Sequence, residues 1–169
     1  MKSIKDIFSF FKKKEEEPKK VQSKERKDHS LERFVNAQEH TYEIALTEVK
    51  SGKKLSHWIW YIFPQLKGLG ESYNSHYYGI DDLDEARAYL QHPILGARLR
   101  EITEVLMLSD KNTKEIFGGL DAMKVRSCMT LFNEVSEDNL FVDVLNKHYK
   151  GEKDIRTLDI LKFRNTDNL

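Results

Sequence analysis

The sequence lacks the features that mark secreted and membrane-spanning proteins. It contains one cysteine, Cys128, so no internal disulfide can form, and a reducing compartment is the usual setting for such a chain. It has no run of about 18 apolar residues, which a membrane-spanning helix requires. Its N-terminus has basic residues but neither the apolar core nor the cleavage site of a secretory signal. We therefore expect a cytoplasmic protein without a transmembrane segment.

An excess of charge of one sign is also missing. The chain has 28 basic and 28 acidic residues, which leaves a formal net charge of zero. No overall field therefore steers the protein toward DNA, RNA or anionic lipid. We expect no specific nucleic-acid partner, although a local basic site is compatible with this balance.

The common metal and catalytic motifs are absent as well. The six histidines, at positions 29, 40, 57, 76, 92 and 148, have no zinc-binding spacing. There is no G-x-S-x-G elbow, no phosphate loop and no dinucleotide-binding glycine pattern. We therefore predict no metal site, and we interpret Cys128, which lies in an apolar stretch, as a buried structural thiol. The sequence identifies neither a cofactor nor an oligomeric state.

Residues 1–29 form a charged N-terminal extension with ten basic and six acidic residues. The stretch 12–28 is almost wholly charged or polar and is predicted to be largely disordered. Before it, four apolar residues follow the spacing of one helical face: Ile4, Ile7, Phe8 and Phe11. A short basic amphipathic helix can lie on an anionic membrane, dock in a partner's groove or fold back onto its own domain. Residues 3–13 are thus a candidate for peripheral membrane or partner contact.

The remainder is predicted to be an all-α domain over residues 30–162, with about six or seven helices and a C-terminal tail at 163–169. An apolar stripe predicts a first helix from a cap at Ser30 to a stop at Gly52. The apolar run 57–63 has the composition of a strand or of a buried two-turn helix, and we favour the helix. Residues 64–81 are predicted to form a structured loop. Further helix starts are indicated by potential N-caps at Asp82, Thr113, Asp121, Asn139 and Asp154.

Two glycine-containing turns are candidate ligand-binding segments. In the first, Gly68 and Gly70 would let backbone amides approach a ligand, with Lys67 and Ser72 adding a charge and a hydroxyl. The alternative is that both glycines only supply positive φ in a tight connection. Gln65, just before this turn, is a candidate for orienting the ligand.

The second segment is the double glycine at 118–119, which leads into a helix whose free amides would favour an anion. Asp121, Lys124 and Ser127 recur at helical spacing on one face. Lys124 and the amides after Gly119 could hold a phosphate. The alternative is that Gly118 ends one helix, Asp121 caps the next and Lys124 is solvated. A capping aspartate would also compete with an anion for the amides.

The aromatic residues near the first turn suggest a stacking platform. Trp58 and Tyr78 are candidates for stacking on a ring, as in nucleotide recognition. Core packing is the alternative for each ring. His57 is a candidate for proton transfer, or else a histidine bound near a helix start.

Five segments resemble the bacterial family catalogued as domain of unknown function 1810. They occupy residues 56–66, 68–72, 89–99, 117–127 and 130–132, and the similarity spans about 30–162. Some members carry the label calpastatin, which would need supporting chemistry. The resemblance implies one helical domain and no established activity, with a link to NAD and ADP-ribose metabolism. The characteristic polar positions of the family correspond here to His57, Gln65, Ser72, Tyr78, His92, Arg98, Asp121, Lys124 and Ser127.

These observations predict a polar pocket for an anionic, nucleotide-like small molecule. The protein could be a hydrolase or transferase that acts on a nucleotide or ADP-ribose linkage. The alternative is a non-enzymatic helical module for protein interaction. The predicted catalytic residues are His57, Gln65 and Asp121. The predicted ligand-binding residues are Trp58, Gly68, Gly70, Ser72, Tyr78, Gly119, Lys124 and Ser127.

Overall fold

A computed structural model describes residues 30–167, and these residues form an all-α protein. Their only β-type pairing is an isolated parallel bridge between Leu66 and Ile80. The helices are α1 Glu32–Gln38, α2 Tyr42–Ser51, α3 Ile59–Ile62, α4 Tyr73–Tyr77, α5 Leu83–Gln91, α6 Leu95–Leu108, α7 Thr113–Phe117, α8 Gly119–Asn133, α9 Leu140–Tyr149 and α10 Ile155–Thr166.

The described residues contain ten helices, so the predicted number of six or seven was wrong. The predicted helix from Ser30 to Gly52 is two helices, α1 and α2, separated by a turn. The predicted loop at 64–81 contains the short helix α4, whose Ser72 cap accepts a hydrogen bond from the amide of Ser75. The apolar run 57–63 is helical, as predicted, but it forms a single turn.

Two of the predicted N-caps, Asp82 and Asp154, cap a helix through their side chains. Asp82 and Asp154 each accept a hydrogen bond from the backbone amide three residues later. Thr113 is not a cap, because Asn112 before it forms a reciprocal capping box with Glu115. Asp121 is not a cap either. Helix α8 begins earlier, at Gly119. Its N-cap is Gly118, which has no side chain that could form a capping hydrogen bond.

Helix α8 is the central element of the fold. It packs against α5, α7, α9 and α10, and its residues from Ser127 to Phe132 are buried on every side. Cys128 lies within this buried half, and burial raises the pKa of its thiol well above the ordinary value. The first half of α8 is different, since Leu120 and Met123 are exposed. The helix therefore runs from the surface into the core, and its surface end borders the candidate site.

A buried carboxylate organises the connection between α2 and α3. Glu48 accepts hydrogen bonds from the amides of Leu55 and Ser56 at 3.0 and 3.2 Å, from the Ser56 hydroxyl, and from the Trp58 indole at 2.7 Å. Four donors on one carboxylate hold this connection against the core. Trp58 is fully buried, and Glu48 provides the acceptor that its indole N–H needs there.

No helix among residues 30–167 combines the length and the apolar character needed to cross a bilayer. Over the same residues, no group of three or more histidine, cysteine, aspartate or glutamate side chains is arranged to hold a metal ion.

Candidate functional site

An open groove with a volume of about 970 Å³ lies between the first half of α8, the start of α10 and the loop that follows α3. We call it the α8–α10 groove. Its lining residues are Gln65, Leu69, Gly70, Ser75, Leu120, Met123, Lys124, Arg126, Ser127, Gly151, Glu152, Lys153, Asp154, Ile155 and Arg156.

Four basic side chains line this groove. Lys124 lies 3.0 Å from Asp121, Lys153 lies 3.5 Å from Glu134, and Arg126 lies 4.0 Å from Glu152. The fourth, Arg156, donates to the backbone carbonyl of Leu69 at 3.2 Å and so links α10 to the glycine loop. The groove therefore has several cationic donors, most of them partly neutralised by carboxylates.

Asp121 lies beside the groove and binds two lysines. Its carboxylate is 2.9 Å from Lys54 and 3.0 Å from Lys124. Burial alone would raise the pKa of Asp121, but the hydrogen bonds and charges of the two lysines outweigh it and lower the pKa below the ordinary value. The lysine ammonium groups also lie over the rings of Trp58 and Trp60, at 5.1 and 5.2 Å from the ring centroids.

Ser127 and Asp154 form a buried polar cluster at the groove wall. The Ser127 hydroxyl lies 2.9 Å from a carboxylate oxygen of Asp154, which also accepts from the amide and hydroxyl of Thr157. The Asp154 amide donates to Thr130. These hydrogen bonds join α8 to the start of α10. Ser127 therefore lines the groove as a residue that holds its two helices together.

The loop side of the groove depends on close packing at Gly70. A Cβ at this position would lie 2.4 Å from the hydroxyl of Ser75. Ser75 in turn bonds to Ser72, the cap of α4. Gln65 is half-buried, lines the groove, and accepts from the Ile80 amide through its backbone carbonyl. Ser72 itself is exposed and outside the groove lining, and it acts as the cap of α4.

Some predicted site residues lie elsewhere. His57 is exposed and outside the groove lining. Trp58 is buried and bonded to Glu48, so its ring does not face the groove. Tyr78 packs against Tyr61 with ring centroids 5.1 Å apart. Gly68 is exposed and has a φ of 105°, which fits the predicted turn.

Of the predicted residues, the structure brings Gln65, Gly70, Lys124 and Ser127 together in the groove lining. Gly119 lies in a smaller neighbouring pocket. The family positions His92 and Arg98 are structural in this protein: the His92 ring accepts from two amides at the start of α6, and Arg98 lies over the Tyr42 ring.

The sequence interpretation missed the basic residues that lie outside the glycine turns. Lys54, Lys153 and Arg156 look like ordinary solvated cations in the sequence. The signal that could have identified Arg126 is its position on α8 three residues after Met123, because residues at this spacing are neighbours on the helix surface. The half-exposed Trp60, rather than Trp58, is the tryptophan that contacts Lys124.

The fold and groove define an all-α protein with an open cavity of mixed charge. The chain belongs to the family described as protein of unknown function DUF1810, whose model matches residues 28–161. It is also similar to a solved structure, the conserved hypothetical protein Rv1873 from Mycobacterium tuberculosis. The identity is 44%, the match covers 78% of this chain and 95% of that one, and the TM-score is 0.76. None of the curated proteins that were compared matches the chain.

Proposed function

We propose that the α8–α10 groove binds an anionic, nucleotide-like small molecule. One observation carries this proposal. The groove combines four basic side chains with three strongly exposed apolar ones, Leu120, Met123 and Ile155, whose exposed fractions are 79, 57 and 69%. A ligand with a phosphate and a planar ring would use both kinds of surface.

The basic side of the groove would hold the phosphate. Counting the ion-paired neighbours, five basic residues (Lys54, Lys124, Arg126, Lys153 and Arg156) face four acidic ones (Asp121, Glu134, Glu152 and Asp154). One net positive charge gives only a weak general field. Affinity for a phosphate would therefore come from directed hydrogen bonds, for which two guanidinium groups are well suited.

The apolar side would pack against the ring of the ligand. Leu120 and Met123 lie one helical turn apart on α8, and Ile155 is the first residue of α10. Burying an exposed apolar side chain of this size stabilises a complex by about 1 to 2 kcal/mol. A nucleotide should therefore bind more tightly than inorganic phosphate.

The proposed function could include catalysis. The protein would then be a hydrolase or transferase that acts on a nucleotide or ADP-ribose linkage. Gln65 lines the groove, and Asp121 is connected to it through Lys124. His57 lies outside the lining, and Asp154 is occupied by Ser127 and Thr157. Of the three predicted catalytic residues, only Gln65 therefore lines the groove.

Titration calorimetry on the full chain tests the binding proposal. AMP and ADP are expected to bind, and adenosine and inorganic phosphate are expected to bind at least about tenfold more weakly. The double variant Lys153→Ala/Arg156→Ala should lower the AMP affinity by about tenfold or more. Lys162→Ala is the matched control, since Lys162 is exposed on the same helix and outside the groove lining. No heat with either nucleotide, or equal loss in the control, would overturn the proposal.

The second candidate function is a helical module for protein interaction through the same groove. The exposed apolar residues favour it, because a docked segment would bury all three. Selection from a random peptide library distinguishes the two functions. Enrichment of acidic, apolar peptides that AMP does not displace would favour the interaction module. Displacement of every bound peptide by AMP would favour the small-molecule site.

A further inference from the structure

Met123 lies on the apolar side of the α8–α10 groove, one helical turn after Leu120. It also lines the smaller neighbouring pocket that contains Gly119. The residue is 57% exposed. On a helix, exposure of this degree includes the end of the side chain, where the thioether sulfur lies. Small molecules that enter the groove can therefore reach this sulfur.

The other sulfur atoms in residues 30–167 are better protected. Met129 and Cys128 lie in the buried half of α8 and have no exposed surface, and Met107 on α6 is half-buried. Burial also raises the pKa of the Cys128 thiol, so this thiol stays protonated and reacts poorly with peroxides. Within the described part of the chain, an oxidant in solution therefore reaches Met123 most readily.

Arg126 is the basic side chain best placed to interact with the end of Met123. It follows Met123 by three residues, a spacing that makes two side chains neighbours on the helix surface, and it lines the same two cavities. Its Nη1 atom is 4.0 Å from Glu152, and 29% of the side chain is exposed. The terminal donors of this guanidinium are therefore only weakly engaged by their acidic neighbour.

From this arrangement we propose that Met123 is a site of reversible oxidation, and that its sulfoxide closes the groove to the ligand. The inference rests on the proposed nucleotide binding in the groove. The oxidant class is the hydroperoxides, of which hydrogen peroxide is the simplest. 

In the reaction, a lone pair of the Met123 sulfur attacks one peroxide oxygen, and the S–O bond forms as the O–O bond breaks. The proton of the transferred hydroxyl group passes to the leaving hydroxide, which gives water. The sulfur is oxidised by two electrons and the peroxide is reduced. The product is a polar sulfoxide in place of an apolar thioether.

The sulfoxide changes the groove in two ways. It places a polar S=O group on the wall that Leu120 and Ile155 share with Met123, so a ring that packs there would have to desolvate the new oxygen. This oxygen is also a strong acceptor, to which the neighbouring Arg126 guanidinium can donate. A guanidinium that donates to the sulfoxide is no longer free for a phosphate. Enzymatic reduction of the sulfoxide restores the thioether and both kinds of surface.

Peptide mass spectrometry on the full chain tests where oxidation occurs. Under hydrogen peroxide conditions that convert about half of Met123, Met129 should carry at least about tenfold less sulfoxide, because its sulfur is reached only when the core opens. Cys128 should remain a thiol. Bound AMP should slow the oxidation of Met123 several-fold and leave that of Met107 unchanged, because Met107 is outside the groove lining.

Titration calorimetry with AMP tests the consequence, and each chain is compared with itself before and after peroxide. Oxidation of Met123 should lower the AMP affinity of the parent by at least about fivefold, with an unchanged melting temperature, and methionine sulfoxide reductases should restore the affinity. Met123→Leu has no sulfur at this position, so peroxide should not change its AMP affinity. Met107→Leu is the matched control and should respond to peroxide as the parent does.

The outcomes separate the two proposals. If the untreated parent does not bind AMP, the proposed groove function itself is wrong. If AMP binds equally well before and after full oxidation of Met123, the sulfoxide switch is excluded while the groove function stands. Oxidation of Met129 as fast as Met123, or a peroxide-dependent loss of AMP affinity in Met123→Leu as large as in the parent, also overturns the inference.

Discussion

Glu48 keeps its charge inside the protein because four donors surround its carboxylate. Burial alone would raise its pKa, but the hydrogen bonds from Ser56, Leu55 and Trp58 lower it below the ordinary value of 4.5. A lowered pKa in the folded state stabilises the protein above the unfolded pKa. That stabilisation is lost as the pH falls through the folded pKa.

We expect Glu48→Gln to reduce the free energy of unfolding by about 2 kcal/mol at pH 7, because hydrogen bonds to a charged acceptor are replaced by weaker ones. Urea unfolding measures the change. The difference between variant and parent should begin to shrink as the pH falls below about 4.5, where Glu48 of the unfolded chain becomes protonated, and should be lost as the pH falls through the lower pKa of the folded state. Glu43→Gln, on the exposed face of the same helix, should change stability by less than about 0.5 kcal/mol. A pH-independent difference would contradict the account of Glu48.

Asp121 offers a second prediction, which separates a structural role from a catalytic one. Asp121→Asn leaves Lys54 and Lys124 without their shared carboxylate, and Lys54 is nearly buried. The free energy of unfolding should fall by about 2 kcal/mol, a value between those for exposed and buried ion pairs. Freeing Lys124 should strengthen AMP binding several-fold in calorimetry. Weaker AMP binding by a stably folded variant would show that Asp121 has a direct role in the site.

The sequence did not predict which of the two neighbouring tryptophans, Trp58 or Trp60, is buried. Trp58 and Trp60 flank Ile59 in the same apolar run, and α3 has only one turn. In so short a run, periodicity cannot indicate which ring is buried. The buried ring of Trp58 packs against Phe117 and its indole donates to Glu48, and these partners lie outside the apolar run that contains the two tryptophans.

At the scale of helices, local signals predicted ends better than lengths. The aspartate caps at 82 and 154 and the stop at Gly118 were predicted because each uses a contact within four residues. The break between α1 and α2 was missed because the apolar stripe resumes at Tyr42 and the turn at 39–41 contains neither glycine nor proline. The buried residue at the end of α1 is polar: the Gln38 side chain donates to the Tyr61 carbonyl and the Tyr89 hydroxyl.

Two glycines in the first turns of α6 and α8 give a matched prediction about helix packing. A Cβ at Gly96 would lie 2.0 Å from the Leu90 carbonyl oxygen, at the end of α5, whereas one at Gly119 meets nothing. Gly96→Ala should therefore destabilise the protein by about 3 kcal/mol or more, since backbone must move. Gly119→Ala should be neutral or stabilise by up to about 1 kcal/mol. Thermal and urea unfolding check both, and similar effects at both positions would refute the packing at α5 and α6.

For the molecule as a whole, the sequence predicted the all-α class and part of the groove. Gln65, Lys124 and Ser127 were predicted because glycine turns and helical spacing are local patterns. Lys153 and Arg156 were not, because they reach the groove only when α10 packs against α8. Leu69 and Arg156 are almost 90 positions apart and meet only through tertiary packing. The periodic pattern of a single sequence does not show such contacts.

The final prediction concerns the charged extension, which lies outside the described residues. The family model begins at residue 28, and the sequence predicts that residues 3–13 contact a membrane or a partner. A chain that begins at Asp28 should therefore unfold with a free energy within about 0.5 kcal/mol of the full chain and bind AMP equally well.

Only the full chain should sediment with vesicles that contain about 30% phosphatidylserine, and added salt should reverse this, because a basic amphipathic segment binds partly through charge. Neutral phosphatidylcholine vesicles are the control. Equal sedimentation of both chains would exclude the membrane role of the extension, and a large loss of stability would mean that the extension folds back onto the domain.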